Sequence, residues 1–302
     1  MLKILEARWQ QRFRTIAFPK DKPVLPERFR GLPKLDQAKC QSGCEACVAA
    51  CPTGAIQKIE GKGVAVDLGK CLFCADCVKA CPQGAISYSR DFRLATRRRE
   101  DLILSEKELP LAQELERKML KLFGRSLRLR QVSAGGCNAC EADTNVLTTV
   151  VFDLGRFGIQ FVASPRHAEG ILVTGPVTEN MKLALQKTYH AVSSPKIVIA
   201  VGACAISGGP YIDEQHAPRA SARGSIAALD RGSAHGQVAP DRASLGHSQV
   251  HNGADSILPV DLYIPGCPPH PLTILDGLLR LLGRIPSDSI PKRAHGPDRV
   301  TL

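Results

Sequence analysis

The cysteines constrain this chain more than any other feature, because eight of its twelve lie between residues 40 and 90 in a pattern that repeats. The repeated units are Cys44, Cys47, Cys51-Pro52 and Gly54-Ala55-Ile56, and, thirty positions later, Cys74, Cys77, Cys81-Pro82 and Gly84-Ala85-Ile86. Two similar halves predict a pseudo-symmetric small domain. The chain has 302 residues, of which 44% are hydrophobic, and this leaves room for a second compact domain.

The spacing within each half indicates what the thiols bind. The two frames are Cys40-x-x-x-Cys44-x-x-Cys47-x-x-x-Cys51-Pro52 and Cys71-x-x-Cys74-x-x-Cys77-x-x-x-Cys81-Pro82. In such a frame three nearby thiolates cap one face of a 4Fe-4S cubane while the fourth reaches away. A zinc ribbon is the alternative, but a zinc site needs only four ligands and no proline after the last cysteine. The repeated frame therefore favours iron-sulfur clusters, and metal content separates the two interpretations.

Beyond about residue 125, short apolar runs alternate with helix-sized segments. The predicted strands are Leu127 to Val132, Ile171 to Thr174, Ile197 to Val201 and Asp261 to Ile264, and the predicted helices are Met181 to Ala191 and Pro271 to Leu282. This alternation predicts an open parallel α/β sheet. A charged connector, residues 93–124, precedes it and contains a predicted helix from Pro110 to Phe123.

The remaining four cysteines are spread along this second region, at Cys137, Cys140, Cys204 and Cys267. Three of their positions follow predicted strands, and ligands of open α/β sheets collect at the carboxyl ends of strands. Glycines beside each position give the backbone freedom to bring the thiolates to a common centre. A third 4Fe-4S cluster is the expected occupant. Buried inert cysteines are the alternative, and they would explain Cys204 alone better than four cysteines in glycine-flanked loops.

Other stretches are predicted to lie outside the two compact regions. Residues 1–37 begin with an amphipathic helix that docks on its own domain, on a neighbouring subunit or on a membrane surface, followed by an extended arm. Its apolar face is formed by Leu5, Trp9, Phe13 and Ile16. Residues 211–256 are polar and aperiodic and predict a surface insertion, and residues 286–302 predict a polar tail. The irregular spacing of four histidines favours a mobile loop over a metal tract: His216, His235, His247 and His251.

The formal charge of +11 is compatible with binding to nucleic acid or to an acidic membrane. Three oxidised clusters with their thiolates would contribute about −2 each, which leaves a balance of about +5. Aromatic residues make up only 5% of the chain and do not interleave with basic ones, so nucleic-acid binding is not expected. The sequence contains no apolar run of about 18 residues, and no pattern at its start suggests an export leader, so we do not expect export. The thiols are therefore expected to be reduced, in a cytoplasmic protein.

Residues 38 to 90 closely resemble bacterial-type two-cluster ferredoxins. In those proteins the fourth cysteine of each frame serves the other cluster. Carried over by position, the resemblance implies one ligand set of Cys40, Cys44, Cys47 and Cys81, and another of Cys71, Cys74, Cys77 and Cys51. It also implies an α+β ferredoxin-like domain, which we place at residues 38–92.

Five motifs carry a second resemblance. They are Gly136-Cys137-Asn138-Ala139-Cys140-Glu141, Ser164-Pro165-Arg166-His167-Ala168, Thr174-Gly175-Pro176-Val177-Thr178, Gly202-Ala203-Cys204-Ala205 and Pro265-Gly266-Cys267-Pro268-Pro269. Together they resemble the small subunit of membrane-bound, energy-converting NiFe hydrogenases, a family that includes the complex I subunit with the terminal cluster. The complex I branch has adjacent cysteines at the first ligand site, so the spacing of Cys137 and Cys140 favours the hydrogenase branch. The resemblance implies a flavodoxin-like α/β domain over residues 125–285, with its cluster against a separate large subunit.

The two resemblances imply a non-catalytic electron-transfer subunit of an oxidoreductase complex. Three 4Fe-4S clusters would relay electrons to or from the NiFe site of the large subunit. Further expected partners are membrane-embedded subunits and a donor such as a formate dehydrogenase or a ferredoxin, at the cytoplasmic face of the cell membrane. The alternative is the same relay in a quinone-linked complex I-type or nickel-free oxidoreductase. A zinc-bearing scaffold or a nucleic-acid-binding module is the alternative from another class.

Three polar residues within these motifs have expected roles. Glu141 follows Cys140 directly and is a candidate proton relay where the two subunits meet, and Arg166 and His167 are candidates for contact with the large subunit. Structural roles are equally compatible. A glutamate in a first helical turn favours the helix dipole, and Ser164-Pro165 is typical of an N-cap followed by proline at N1.

Overall fold

The structure is a computed structural model that describes residues 2–11, 14–59, 63–105, 109–124, 126–212 and 250–285. Most of the predicted insertion, with His216, His235 and His247, lies outside the described residues, and so does the predicted tail 286–302. No helix within the described ranges has both the length and the apolar character of a membrane-crossing segment.

The chain begins with the helix α1 (Leu2–Gln11), whose side chains from Lys3 to Gln10 are all exposed. A helix thus lies where the sequence predicts one, with Leu5 and Trp9 of its predicted apolar face exposed, and Phe13 lies outside the described residues. The arm that follows is attached to the body of the protein: the Ile16 amide donates to the Val151 carbonyl oxygen at 2.9 Å. Farther along, Phe18 is buried and packs edge-on against Phe92.

A small region with the repeated cysteine frames follows. Its elements are β1 (Pro33–Leu35), α2 (Ala46–Ala50), β2 (Ile56–Lys58), β3 (Val64–Asp67), α3 (Asp76–Ala80), β4 (Ile86–Tyr88) and β5 (Ile103–Leu104). The helices α2 and α3 are thirty residues apart, and so are the strands β2 and β4, so the repeat in sequence is also a repeat in local structure. β1 pairs with β4, and β2, β3 and β5 form an antiparallel three-stranded sheet. β5 lies within residues 93–124, which the sequence analysis predicts to be a connector. Part of that connector therefore belongs to the small region, as a strand of its sheet.

The connector helix α4 (Arg117–Phe123) is shorter than the predicted helix from Pro110 to Phe123. Backbone bonds to distant segments explain the difference. The Ala112 amide donates to the Ala95 carbonyl oxygen at 2.8 Å, and the Leu115 amide donates to that of Leu281 at 3.0 Å. These bonds replace the first helical turns.

The second region is an open sheet of five parallel strands with helices between them. Its elements are β6 (Leu127–Ser133), α5 (Ala139–Val146), β7 (Ile159–Phe161), β8 (Gly170–Thr174), α6 (Glu179–Ala191), β9 (Ile197–Val201), α7 (Ala203–Ser207), β10 (Leu262–Ile264) and α8 (Pro271–Leu281). The strand order is β10-β9-β8-β6-β7, and all neighbouring pairs are parallel. Numbered along the chain this order is 2-1-3-4-5, the order of flavodoxin-like sheets. The prediction of an open parallel α/β sheet is confirmed.

The two regions share one apolar core. Ile56 and Val66 of the small region pack in the same buried group as Ile171, Val198 and Ile206 of the α/β region. Backbone bonds also join the regions, since Thr96 and Tyr263 exchange hydrogen bonds of 2.9 and 3.0 Å. The structure therefore holds the small region in a fixed position against one face of the parallel sheet.

The described ends of segment 211–256 pack against this body. Val250 forms a β-bridge with Thr178, and Ala254 is fully buried. His251 lies 2.5 Å from the carboxylate of Glu179. The histidine is thus hydrogen-bonded to a side chain at the start of α6.

Candidate iron-sulfur sites

Four cysteines from both halves of the repeat line one small, largely apolar cavity. We call Cys40, Cys44, Cys47 and Cys81 the first set. Burial raises the pKa of the Cys47 thiol to about 11, and the thiols of Cys81, Cys40 and Cys44 add to the shift. Cys81 is thus brought from the second half of the repeat to the three cysteines of the first half.

A second cavity, of similar size and character, is lined by the complementary cysteines. We call Cys51, Cys71, Cys74 and Cys77 the second set. Burial raises the pKa of the Cys71 thiol to about 12 and also raises that of Cys77. Cys51 contributes electrostatically to both shifts, so it lies with the second half of the repeat. The exchange of Cys51 and Cys81 between halves is the arrangement that the ferredoxin resemblance implies.

Backbone amides point at the sulfurs of both sets. The Ala55 amide donates to Cys51 Sγ at 3.2 Å, and the repeat-equivalent Ala85 amide donates to Cys81 Sγ at 3.3 Å. The Phe73 amide donates to Cys71 Sγ at 3.4 Å. Four thiols with amide donors in an apolar enclosure fit a 4Fe-4S cluster, and bound iron would displace the thiol protons. Among the described residues, no three Cys, His, Asp or Glu side chains are grouped as around a single metal ion.

The third set is built at the carboxyl edge of the parallel sheet. It consists of Cys137 after β6, Cys140 in α5, Cys204 in α7 and Cys267 after β10. Burial is the largest cause that raises the pKa of the Cys140 thiol. Neighbouring groups raise it further, namely Cys204, Glu141, Cys267 and Cys137. Burial likewise raises the pKa of Cys204 to about 12. The four thiols therefore converge, with Cys140 and Cys204 buried and Cys137 and Cys267 exposed at the surface.

The three polar residues with predicted roles differ in their surroundings: one is buried and two are exposed. Glu141 is buried in the first turn of α5, and its carboxylate accepts a hydrogen bond of 2.7 Å from Thr174 Oγ1 at the end of β8. Arg166 and His167 lie in a short 3₁₀ turn, Pro165–His167, and both are exposed. Ser164 occupies the N-cap position of that turn, with no side-chain capping bond.

The second and third sets face each other across a cleft of about 410 Å³ between the two regions. Cys74 and Cys267 both line this cleft, together with Phe29, Phe73 and His270. Although Cys267 is exposed at the surface, desolvation within the cleft raises the pKa of its thiol, and Cys137 and Cys74 raise that pKa further, so the thiols of Cys74 and Cys267 are near neighbours. The second set is therefore the part of the small region that adjoins the third set.

Tyr88 is a site residue that the sequence analysis did not single out. Its hydroxyl lies 3.9 Å from Cys71 Sγ, and its side chain lines the cavity of the second set. Aligning the two halves of the repeat would have pointed to this position, because the halves differ there: the first half has Lys58 where the second half has Tyr88.

The three cysteine sets and the fold define an iron-sulfur protein in which a dicluster region precedes an α/β domain. Residues 31–85 match the 4Fe-4S dicluster domain, and residues 137–281 match the family described as NADH ubiquinone oxidoreductase, 20 Kd subunit. The chain belongs to this 20 Kd family.

Three curated relatives illustrate the range of similar proteins. Formate hydrogenlyase subunit 7 of Escherichia coli (strain K12) is 36% identical over 55% of this chain and 52% of its own length. The probable membrane-bound hydrogenase subunit mbhJ of Pyrococcus furiosus is 34% identical over 55% of this chain and 80% of its own length. An NADH-quinone oxidoreductase subunit of Phocaeicola vulgatus is 35% identical over 49% of this chain and 59% of its own length. The chain thus spans about half of the first and third of these relatives and most of the second.

Proposed function

We propose that this chain is a non-catalytic electron-transfer subunit of a membrane-associated, formate hydrogenlyase-like hydrogenase complex. It relays single electrons through three 4Fe-4S clusters to or from the NiFe site of a partner large subunit. The observation that carries the proposal is the grouping of all twelve cysteines into three sets of four. Each set would hold one cluster, and when bound a cluster accepts and releases one electron.

The residues around the sulfurs have defined roles in this proposal. The amides of Ala55, Phe73 and Ala85 stabilise negative charge on the thiolates of Cys51, Cys71 and Cys81. The apolar cavity walls exclude water from the first and second sets. Residues 38–92 together with β5 are the proposed dicluster domain, because β5 pairs with β3. Residues 125–285 are the proposed domain of the third cluster, with an insertion over 211–256.

The order of the relay follows from proximity. Cys74 and Cys267 line the same cleft, so electrons pass between the second and third sets there. The first set is the outer end, nearest to the donor. The exposed Cys137 and Cys267 mark the edge that faces the large subunit, where Arg166 and His167 are candidate contacts and Glu141 a candidate proton relay.

The partners are proposed from the relatives and from the cysteine assignment, which uses all twelve cysteines for clusters and leaves none to ligate nickel. Two relatives are named as hydrogenase or hydrogenlyase subunits, one of them as membrane-bound. We therefore place the chain peripherally at the cytoplasmic face of the cell membrane, held by membrane-embedded subunits. A formate dehydrogenase or a ferredoxin would be the electron donor.

A quinone-linked complex I-type or nickel-free complex is the second candidate. It is favoured by the relative named as an NADH-quinone oxidoreductase subunit and by the description of the matching family. The relay inside this chain would be the same in both complexes. Only the large subunit would differ.

Nickel content and hydrogen isotope exchange separate the two candidates. A NiFe site exchanges hydrogen isotopes without exporting electrons, so the native complex should contain nickel and catalyse exchange. Cys140→Ser should remove the third cluster and suppress dye-linked hydrogen turnover at least about tenfold, while exchange persists in the assembled complex. Cys44→Ser, which alters only the first set, serves as the control and should spare both nickel and exchange. An assembled wild-type complex without nickel and without exchange would refute the hydrogenase assignment and favour the quinone-linked candidate.

A further inference from the structure

Tyr88 distinguishes the two halves of the repeat. It ends β4 and lines the cavity of the second set, with its hydroxyl 3.9 Å from Cys71 Sγ. The equivalent residue of the first half, Lys58, ends β2 and instead lies 2.5 Å from the carboxylate of Glu45. The described residues that line the cavity of the first set include no serine, threonine or tyrosine. The phenol is therefore specific to the second set.

The direction of this hydrogen bond follows from the chemistry of the partners. A thiolate bound to iron has no proton, so between Cys71 and Tyr88 only the phenol can donate. An ordinary phenol has a pKa of about 10 and therefore keeps its proton at neutral pH. The aromatic ring is held in place by β4 and by Phe73, whose ring centroid lies 6.0 Å away.

A second hydroxyl in the same cavity does not have this role. Thr53 Oγ1 also lies 3.9 Å from a ligand sulfur, that of Cys51. Its single proton is donated to the Lys70 carbonyl oxygen at 2.7 Å. Thr53 thus provides a natural comparison, with the same distance to sulfur but no proton available for it.

We infer that the Tyr88 hydroxyl raises the reduction potential of the cluster held by the second set, an adjustment that the first set lacks. Reduction adds one electron and increases the negative charge on the ligand sulfurs, so a donated hydrogen bond stabilises the reduced state more than the oxidised one. No bond breaks, and the proton stays on the phenol oxygen. The inference rests on the cluster assignment of the proposed function. Because the second set adjoins the third, the adjustment favours electron transfer from the first set toward the cleft at Cys74 and Cys267.

The test is a potentiometric titration of the full chain, followed by electron paramagnetic resonance. Tyr88→Phe should lower one of the three midpoint potentials, with the ratio of reduced to oxidised cluster falling about fivefold at a fixed ambient potential. The affected midpoint should be the one that Cys74→Ala eliminates. Thr53→Val removes the comparison hydroxyl, and Lys58→Gln alters the equivalent residue of the first half. Neither control should shift that midpoint.

The outcomes separate this inference from the proposed function. Tyr88→Phe protein that retains all its iron and titrates like the wild type would overturn the inference alone. Wild-type protein without clusters would instead overturn the proposed function. If Tyr88→Phe loses iron, 3-fluorotyrosine incorporation replaces it, since Tyr88 is the one of four tyrosines that lines a four-cysteine cavity. The fluorinated phenol is a stronger donor and must raise the same midpoint, and an unchanged midpoint would contradict the inference.

Discussion

At the scale of single residues, the third cysteine set depends on glycines that let the backbone approach the sulfurs. Gly202 has a φ of +90°, and a Cβ atom there would lie 2.5 Å from Cys140 Sγ. Gly209 has a φ of +58°, and its Cβ would lie 2.8 Å from Cys204 Sγ. A side chain at either position would meet both backbone strain and a sulfur atom closer than van der Waals contact allows.

Gly202→Ala should therefore eliminate the third cluster. The alanine methyl would displace Cys140, and the protein should lose about four of about twelve iron atoms per chain. Gly84→Ala is the matched control, because Gly84 has a φ of +60° with no atom within 4 Å of the added Cβ. It should cost only the strain of the left-handed conformation, about 1 kcal/mol, and keep all its iron. Elemental analysis of anaerobically purified protein measures both outcomes, and full iron content in Gly202→Ala would show that the site can relax.

At the candidate sites, the sequence could predict the cysteine ligands but not the other side chains that contact the sulfurs. The cysteine frames and their resemblance to ferredoxins predicted the two crossed sets, and the structure brings those cysteines to common cavities. Tyr88 was not predicted, because spacing along β4 says nothing about which sulfur a phenol will reach. That contact depends on how β4 packs beside the loop that holds Cys71.

At the scale of secondary-structure elements, buried apolar strands were predictable, and the short, half-exposed edge strands β5 and β7 were not. β8 and β9 are fully buried five-residue strands, and their uninterrupted apolar sequences identify them. β7, by contrast, is a three-residue edge strand with one buried residue, and β5 has two residues. Their pairing is decided by distant partners, Leu127 to Leu129 for β7 and Val66 to Asp67 for β5, which no local pattern reveals.

Arg99 lies in a groove where the two regions meet, which Asp67 and Asp255 also line, and its loss should destabilise the folded protein. Its guanidinium donates to both carboxylate oxygens of the buried Asp67 on β3, at 2.8 and 2.7 Å. Desolvation raises the pKa of Asp255 in the α/β region, and the charge of Arg99 opposes that shift. Arg99→Met leaves Asp67 without this partner and should cost about 2–3 kcal/mol, a fall in melting temperature of roughly 5–10 °C.

Lys79→Met is the control for that experiment. Lys79 lies 3.9 Å from Asp76, and the pair is exposed, so its loss should change the free energy of unfolding by less than about 0.5 kcal/mol. Both variants should be compared at equal iron content and equal scan rate, since unfolding of a cluster-bound protein is irreversible. Equal melting temperatures for Arg99→Met and the wild type would show that the apolar core alone holds the regions together.

At the scale of the whole molecule, the shared core makes the distances between the cysteine sets a property of the fold. The Ser207 hydroxyl on α7 lies 2.9 Å from the Gly69 carbonyl oxygen of the small region, and a Cβ at Gly69 would lie 2.7 Å from Ile206. α7 also carries Cys204 of the third set. The element that builds the third set therefore packs directly against the loop that leads to Cys71, and this contact fixes the second set beside the third.

This arrangement predicts which clusters interact magnetically in the fully reduced protein. Spin coupling decreases steeply with distance, so the third cluster should show splitting from the cluster of the second set across the cleft at Cys74 and Cys267. Cys74→Ala should remove that splitting together with about four iron atoms. Cys44→Ala, at the repeat-equivalent position, should remove the same amount of iron from the first set and leave the splitting intact. Electron paramagnetic resonance of both variants at full reduction decides the order of the relay. If the splitting disappears in Cys44→Ala and persists in Cys74→Ala, the first set adjoins the third and the order proposed here is reversed.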